Sequence, residues 1–262
     1  MPVHQGFVVE HQGDYRPAFA AAADAGFDYV ELNMEARFSR GSVDPAAVRG
    51  AASDHGLDLA VHLPYSVDVG SPHEHAREGA CRELEASLDA AAAFGADTAV
   101  FHAHSSVRPS HWETSRVVDA ICESTQRLHE YGADCGITVC AENLPGQFVT
   151  VSDFSELFAR TDAAMCLDTG HAYATGLDGH DQAAFLREHG DRVEHVHLNE
   201  ARSDGADEHL PVGMGRVDFA PLADAIPETG WTGTCTHEVF SFDETFEYAR
   251  VGKRRFDALL AG

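Results

Sequence analysis

The chain has 262 residues, 44% of them hydrophobic, and a formal net charge of −25. Lys253 is the only lysine, and the one basic block is Lys253-Arg254-Arg255, so the composition argues against a protein that draws nucleic acid or anionic membranes to itself by long-range attraction. The acidity reads instead as adaptation to a concentrated-salt cytoplasm, where screening erases most long-range repulsion.

This length suits one large α/β core or two small domains. The six cysteines form no Cys-x-x-Cys pair, and Cys140 and Cys166 each stand two residues before an acid inside an apolar run, so they read as buried thiols. Met1-Pro2-Val3-His4 lacks the regions of a signal peptide, and no apolar run approaches the ~20 residues of a membrane span, so a soluble cytoplasmic protein is expected.

In chain order, Gln5 to Val9 reads as a first strand ending at Glu10. A helix over Arg16 to Ala25 leads to a strand over Tyr29 to Asn33. Asp44-Pro45 opens the next helix, and Leu57 to His62 is the third strand. Ser71 with Glu74 reads as a capping box before a helix to Phe94, and Thr98 to His102 is the fourth strand. Ser110 with Glu113 reads as a second box before a helix to about Tyr131. Ile137 to Glu142 is the fifth strand, a helix follows from about Ser152 to Arg160, and Ala163 to Leu167 is the sixth strand, ending in a loop at Asp168. A helix from about Gly179 to Glu188 precedes the strand Val193 to His197. A helix over Phe219 to Thr229, weakened by Pro221 and Pro227, precedes the strand Gly233 to Val239. Ser241 with Glu244 reads as a third box, opening the last helix. Eight strands alternating with helices in one domain over 1–262 predict a parallel (β/α)8 TIM barrel, and the Gly-x-Gly-x-x-Gly of an open doubly wound sheet is absent.

His62, His102, Glu142, Asp168, His197 and Glu238 then fall at or near the C-terminal ends of the third to eighth strands, the ends that build a barrel's active site. Each alone reads equally well as a hydrogen-bonded core or rim residue. Together, three carboxylates and three imidazoles in one barrel mouth would repel one another unless a metal compensated them. In Asp168-Thr169-Gly170-His171, carboxylate and imidazole stand three residues apart, a donor mixture that suits Zn²⁺ or Mn²⁺. A helix cap followed by a surface histidine is the plain alternative. The period of two sets Cys140, Cys166 and His195 one layer below Glu142, Asp168 and His197. Glu31 ends a strand on the same face and is a candidate to orient a ligand or bind substrate.

These residues resemble the xylose isomerase-like TIM barrels, the superfamily of sugar-phosphate isomerases and epimerases and of endonuclease IV. His62-Leu63-Pro64-Tyr65 with Ser71-Pro72, Glu142-Asn143 with Gly146-Gln147, Asp168-Thr169-Gly170-His171-Ala172, His197-Leu198-Asn199, and Asp207-Glu208-His209 before Val212-Gly213-Met214-Gly215 resemble endonuclease IV segments. That resemblance implies three zinc ions on His62, His102, Glu142, Asp168, His171, His197, Asp207, His209 and Glu238. This chain departs at Ala103-His104, Glu200 and Glu208, where the endonuclease has Pro-Gly, Asp and Arg, and its first two strands resemble the isomerase and epimerase branch.

That branch implies one divalent ion (Mn, Zn, Mg or Co) on Glu142, Asp168, His197 and Glu238. Glu142 and Glu238 would then move a proton of a sugar or sugar phosphate, and Glu31, His62, Tyr65, His102, His171 and Arg202 would bind the substrate. This is the reading the sequence favours. The alternative is a multi-metal phosphodiesterase acting on abasic DNA, with Tyr65 as the inserting residue and Arg37, Arg40 and Arg108 as loop cations.

Overall fold

The computed structural model describes residues 3–9, 13–146, 148–203, 205–240 and 245–262. Glu10, Gln147, Ser241 and Glu244, on which parts of the sequence reading rest, lie outside them. The strands are β1 (His4–Val9), β2 (Tyr29–Asn33), β3 (Asp58–His62), β4 (Thr98–His102), β5 (Thr138–Glu142), β6 (Ala164–Asp168), β7 (Val193–Leu198) and β8 (Thr234–His237). Each pairs in parallel with the next, and β8 returns to β1, which closes the expected (β/α)8 barrel. Among the described residues the helices are α1 (Arg16–Ala25), α2 (Pro45–Asp54), α3 (Glu74–Phe94), α4 (Thr114–Cys135), α5 (Phe154–Arg160), α6 (Thr169–Ala174), α7 (Gly179–His189), α8 (Ala220–Thr229) and α9 (Thr245–Leu260). None of them is long and apolar enough to cross a membrane.

Strand alternation sorts the side chains. On β5, Val139 and Ala141 join the large cluster under the helices, while Cys140 faces inward. On β6, Met165 and Leu167 point outward and Cys166 inward. Val100, Cys140, Ala164 and Cys166 form a small apolar plug in the barrel, and Glu142 and Asp168 stand above it, two residues on. The register then sets His102 beside Glu142 and Asp168 beside His197. Glu238 follows β8 directly, its N–H bonded to the Leu198 carbonyl at 3.2 Å.

Caps read from spacing fared unevenly. Asp44 caps α2, accepting from the Ala46 N–H at 3.1 Å. The boxes at Ser71 and Ser110 do not form. α3 starts only at Glu74, and Ser71 Oγ merely accepts the His73 N–H at 3.4 Å. Pro109–His111 winds a separate 3₁₀ turn before α4, whose cap position is Glu113. Ser110 is thus enclosed in that turn instead of standing at the cap position.

Candidate metal centre

The sixth strand does not end in a loop. Asp168 is at once a strand end and the cap of α6, accepting the His171 N–H at 2.6 Å. His171 lies inward, 3% exposed, so Asp168 can cap the helix and still stand beside a candidate ligand. Gly170 makes room: a Cβ there would lie 1.8 Å from Asn199 Oδ1. Asn199 uses the space to donate to Asp168 Oδ2 at 2.5 Å and Glu238 Oε2 at 3.2 Å. Asn143 clamps the other side of Asp168, accepting from its N–H at 2.8 Å and donating to its carbonyl at 3.0 Å.

All nine residues singled out as ligands converge. Glu142 Oε2 lies 3.2 Å from His62 Nε2 and 3.3 Å from His102 Nε2. Its Oε1 lies 3.4 Å from both His171 Nδ1 and His197 Nδ1. His197 Nδ1 is also 3.8 Å from Asp168 Oδ2 and 3.2 Å from Glu238 Oε2. Donor atoms of Glu142, Asp168, His197 and Glu238 fall within 4.8 Å of one another, as do those of His62, His102 and Glu142 and those of Asp168, His171 and His209. Asp207 Oδ1 stands 3.4 Å from His171 Nε2 and 2.9 Å from His209 Nδ1. His209 adopts φ +46°, a left-handed conformation costing roughly 1–2 kcal/mol in a residue with a Cβ.

Proton counting shows that this set suits cations. A backbone carbonyl only accepts, so His62 Nδ1 donates to Leu63 O at 2.8 Å and His171 Nδ1 donates to Asn143 O at 3.0 Å. His197 Nε2 donates to Glu31 Oε1 at 3.2 Å. With one nitrogen committed, each ring aims its other nitrogen at a carboxylate: His62 at Glu142, His171 at Asp207, His197 at Glu142 and Glu238. Lone pair would face lone pair unless a second proton or a metal ion lay between them. Glu142 Oε1 and His197 Nδ1 are buried without a hydrogen-bond partner, which marks the centre of the cluster. The donors fit Zn²⁺ or Mn²⁺.

Free of metal, His62, His171, His197 and His209 are held toward the protonated form by the surrounding carboxylates, while burial lowers the His102 pKa. Burial opposes protonation of His209 too, but Glu238 and Asp207 push its pKa up to about 10. His197 is raised well above its ordinary value against its own burial by Cys166, Glu238, Glu31 and Glu142. Burial, with Glu238 and Glu142 beside it, pushes Asp168 up to about 7 although His171 opposes this.

Six of the nine residues, His62, His102, His171, Asp207, His209 and Glu238, floor a cavity of 310 Å³ bounded by Asn33, Tyr65, Leu144 and Phe240. A larger one, 620 Å³, opens at the opposite end of the barrel around His4 and Trp231, far from this chemistry. Tyr65 is 39% exposed and stacks on His102 with ring centres 5.8 Å apart. Two expected substrate contacts lie elsewhere. Arg202 is outside the cavity wall, held by Glu208 through Nε at 2.9 Å and Nη2 at 2.5 Å. Glu31 is fully buried one layer below the ligands, bonded to His195, His197 and Thr236. The sequence reading quoted Asn143 and Asn199 only within motifs and did not single out Asn33, Leu144 or Phe240.

The loop carrying Asp207 and His209 is organised by Glu200, which is 1% exposed. Its backbone bridges Leu210 in both directions at 2.9 Å, and its carboxylate accepts the Gly213 N–H.

A probable endonuclease 4 of Mycobacterium bovis (strain BCG / Pasteur 1173P2) is 25% identical over 229 residues, covering 82% of this chain and 87% of the relative. In fold, the chain matches a D-tagatose 3-epimerase-like protein with a TM-score of 0.83 at 19% identity, covering 98% of each chain. It also matches D-psicose 3-epimerase of Clostridium cellulolyticum H10 with a TM-score of 0.82 at 16% identity, covering 98% of this chain and 99% of the other. The description of the xylose isomerase-like TIM barrel is met over residues 19–258. With barrel, strand-end ligands and this match in agreement, the chain belongs to the xylose isomerase-like TIM barrel family.

Proposed function

We propose that the protein is a multi-metal phosphoester hydrolase with an endonuclease IV-like centre, which reverses the order the sequence favoured. The observation that carries this reading is the enclosure of Glu142. A base for isomerisation needs an oxygen open to a substrate proton. Glu142 is fully buried, and four imidazoles surround its two oxygens: His62 and His102 at one, His171 and His197 at the other. That is the setting of a shared metal ligand. A one-ion isomerase would turn His62 and His102 toward substrate, whereas here their Nε2 atoms lie 3.2 and 3.3 Å from Glu142 Oε2.

The clusters of Glu142, Asp168, His197 and Glu238, of His62 and His102 with Glu142, and of Asp168, His171 and His209 would hold divalent ions, whose chemistry when bound would be charge neutralisation at a phosphoryl group and acidification of water. The chain's part is placement. Asn199 holds Asp168 and Glu238 apart at fixed positions, Asn143 fixes His171, and Tyr65, Leu144 and Phe240 narrow the mouth against bulk water. One observation favours the isomerase or epimerase as the second reading. The loop arginines Arg202 and Arg40 are already paired with Glu208 and Glu83, an arrangement poorly suited to duplex phosphates and indifferent to a neutral sugar.

The test loads the protein with Zn²⁺ or Mn²⁺ and offers a nitrophenyl phosphodiester, an abasic duplex at salt up to molar, and ketoses. The expected result is metal-dependent phosphoester cleavage that disappears in His102→Ala and Asp207→Ala. Ketose epimerisation without phosphoester cleavage, unaffected by Asp207→Ala, would establish the second reading instead.

A further inference from the structure

Beneath the candidate metal ligands lies a buried polar cluster that none of the chemistry above uses. Glu31 on β2, His195 on β7 and Thr236 on β8 are all fully buried. Glu31 Oε2 accepts from Thr236 Oγ1 at 2.6 Å and from His195 Nε2 at 2.9 Å, while Oε1 accepts from His197 Nε2 at 3.2 Å. Thr236 spends its one proton on Glu31, so at 2.9 Å it accepts from the Tyr29 hydroxyl. His195 spends its Nε2 proton likewise, so its Nδ1 accepts from Thr234 Oγ1 at 2.6 Å. Three strands thus contribute to the network, in which Thr236 Oγ1 also lies 3.0 Å from His195 Nε2, and its link upward is His197.

We infer that Glu31, oriented by Thr236 and His195, is the positioning residue that fixes the His197 ring and presents Nδ1 to the metal position. A carboxylate behind a ligating imidazole sets its tautomer and raises its basicity. This inference rests on the metal-binding half of the proposed function and is independent of the reaction catalysed. It also gives Glu31 a place that a substrate contact cannot explain, since no atom of it reaches the cavity.

The same cluster offers a rival arrangement. Donor atoms of Cys166, His195 and His197 fall within 4.8 Å of one another, so an ion could in principle sit below, on the thiol. The hydrogen bonds argue otherwise, because Glu31 already occupies the Nε2 of both rings.

The experiment titrates metal-stripped protein with Zn²⁺ against a chromophoric chelator. In Glu31→Gln, one class of ion is expected to bind about 10–100-fold more weakly, the range for loss of a supporting partner, while the other classes keep their affinity. Glu31→Asp should recover part of the loss. Thr236→Val keeps the carboxylate and removes its hydroxyl tether, and should weaken the same class by a smaller factor; it carries the test if Glu31→Gln fails to fold. Unchanged affinities in the variants that fold would overturn the inference, as would loss of an ion in Cys166→Ser. A parent that binds no divalent ion would remove both this inference and the metal reading. A parent that binds ions without cleaving phosphoesters would remove only the proposed reaction.

Discussion

Glu142→Gln is expected to remove turnover while the barrel still folds. Glu142 touches four imidazoles, and no other carboxylate does so among the described residues. The amide keeps the shape but replaces one acceptor oxygen with a donor and removes the charge that two groups of ligands share. Loss of a supporting partner behind a metal ligand costs up to ~100-fold; loss of a shared ligand is expected to exceed that, and steady-state kinetics on the parent's best substrate reads it directly. A variant with near-parental turnover and a normal melting curve would contradict the assignment.

Stripping metal is expected to have the second large effect, on stability as well as activity. At ~1,000-fold excess over its Kd, each ion contributes about 4 kcal/mol to the folded state. In a chain of this size each kcal/mol moves Tm by roughly 2–4 °C, so chelation should lower it by on the order of 10 °C or more. The metal-free protein should also show an inverted pH response. His209 is raised from 6.5 to about 10 in the folded state, so its protonation stabilises fully below pH 6.5. That contribution is lost as pH rises toward 10, and His171 and His197 are raised in the same direction. Metal-free protein should therefore melt progressively lower from about pH 6.5 upward, a trend that saturating metal abolishes because ions replace the protons. Calorimetry with and without chelator across that range measures both effects. Identical melting curves would remove the metal from the account.

The strand-end residues were legible because the alternation is regular. Cys140 before Glu142 and Cys166 before Asp168 mark the inward face, and parallel closure carries every such face to one mouth. Alternation does not reveal height within the barrel. Asn33 pairs with His62, so Glu31, two residues earlier, falls a layer too low to meet substrate. Arg202 failed for another reason: its partner Glu208 lies six residues on, across a loop whose course depends on Glu200 and the Leu210 bridge. α6 was missed because Asp168 looked like either a cap or a ligand, and it is placed to be both. The ranking of the two reactions turned on whether either Glu142 oxygen faces open space, and only packing decides that.

The most direct test of the central claim is the number of ions held by one chain, from elemental analysis of metal-loaded protein and anomalous scattering in crystals. The arrangement of His62 and His102 on one side of Glu142, and of His171, Asp207 and His209 beyond Asp168, predicts more than one ion, up to three. A single ion on Glu142, Asp168, His197 and Glu238 alone, at saturating metal, would contradict the multi-metal centre and return the protein to the isomerase reading.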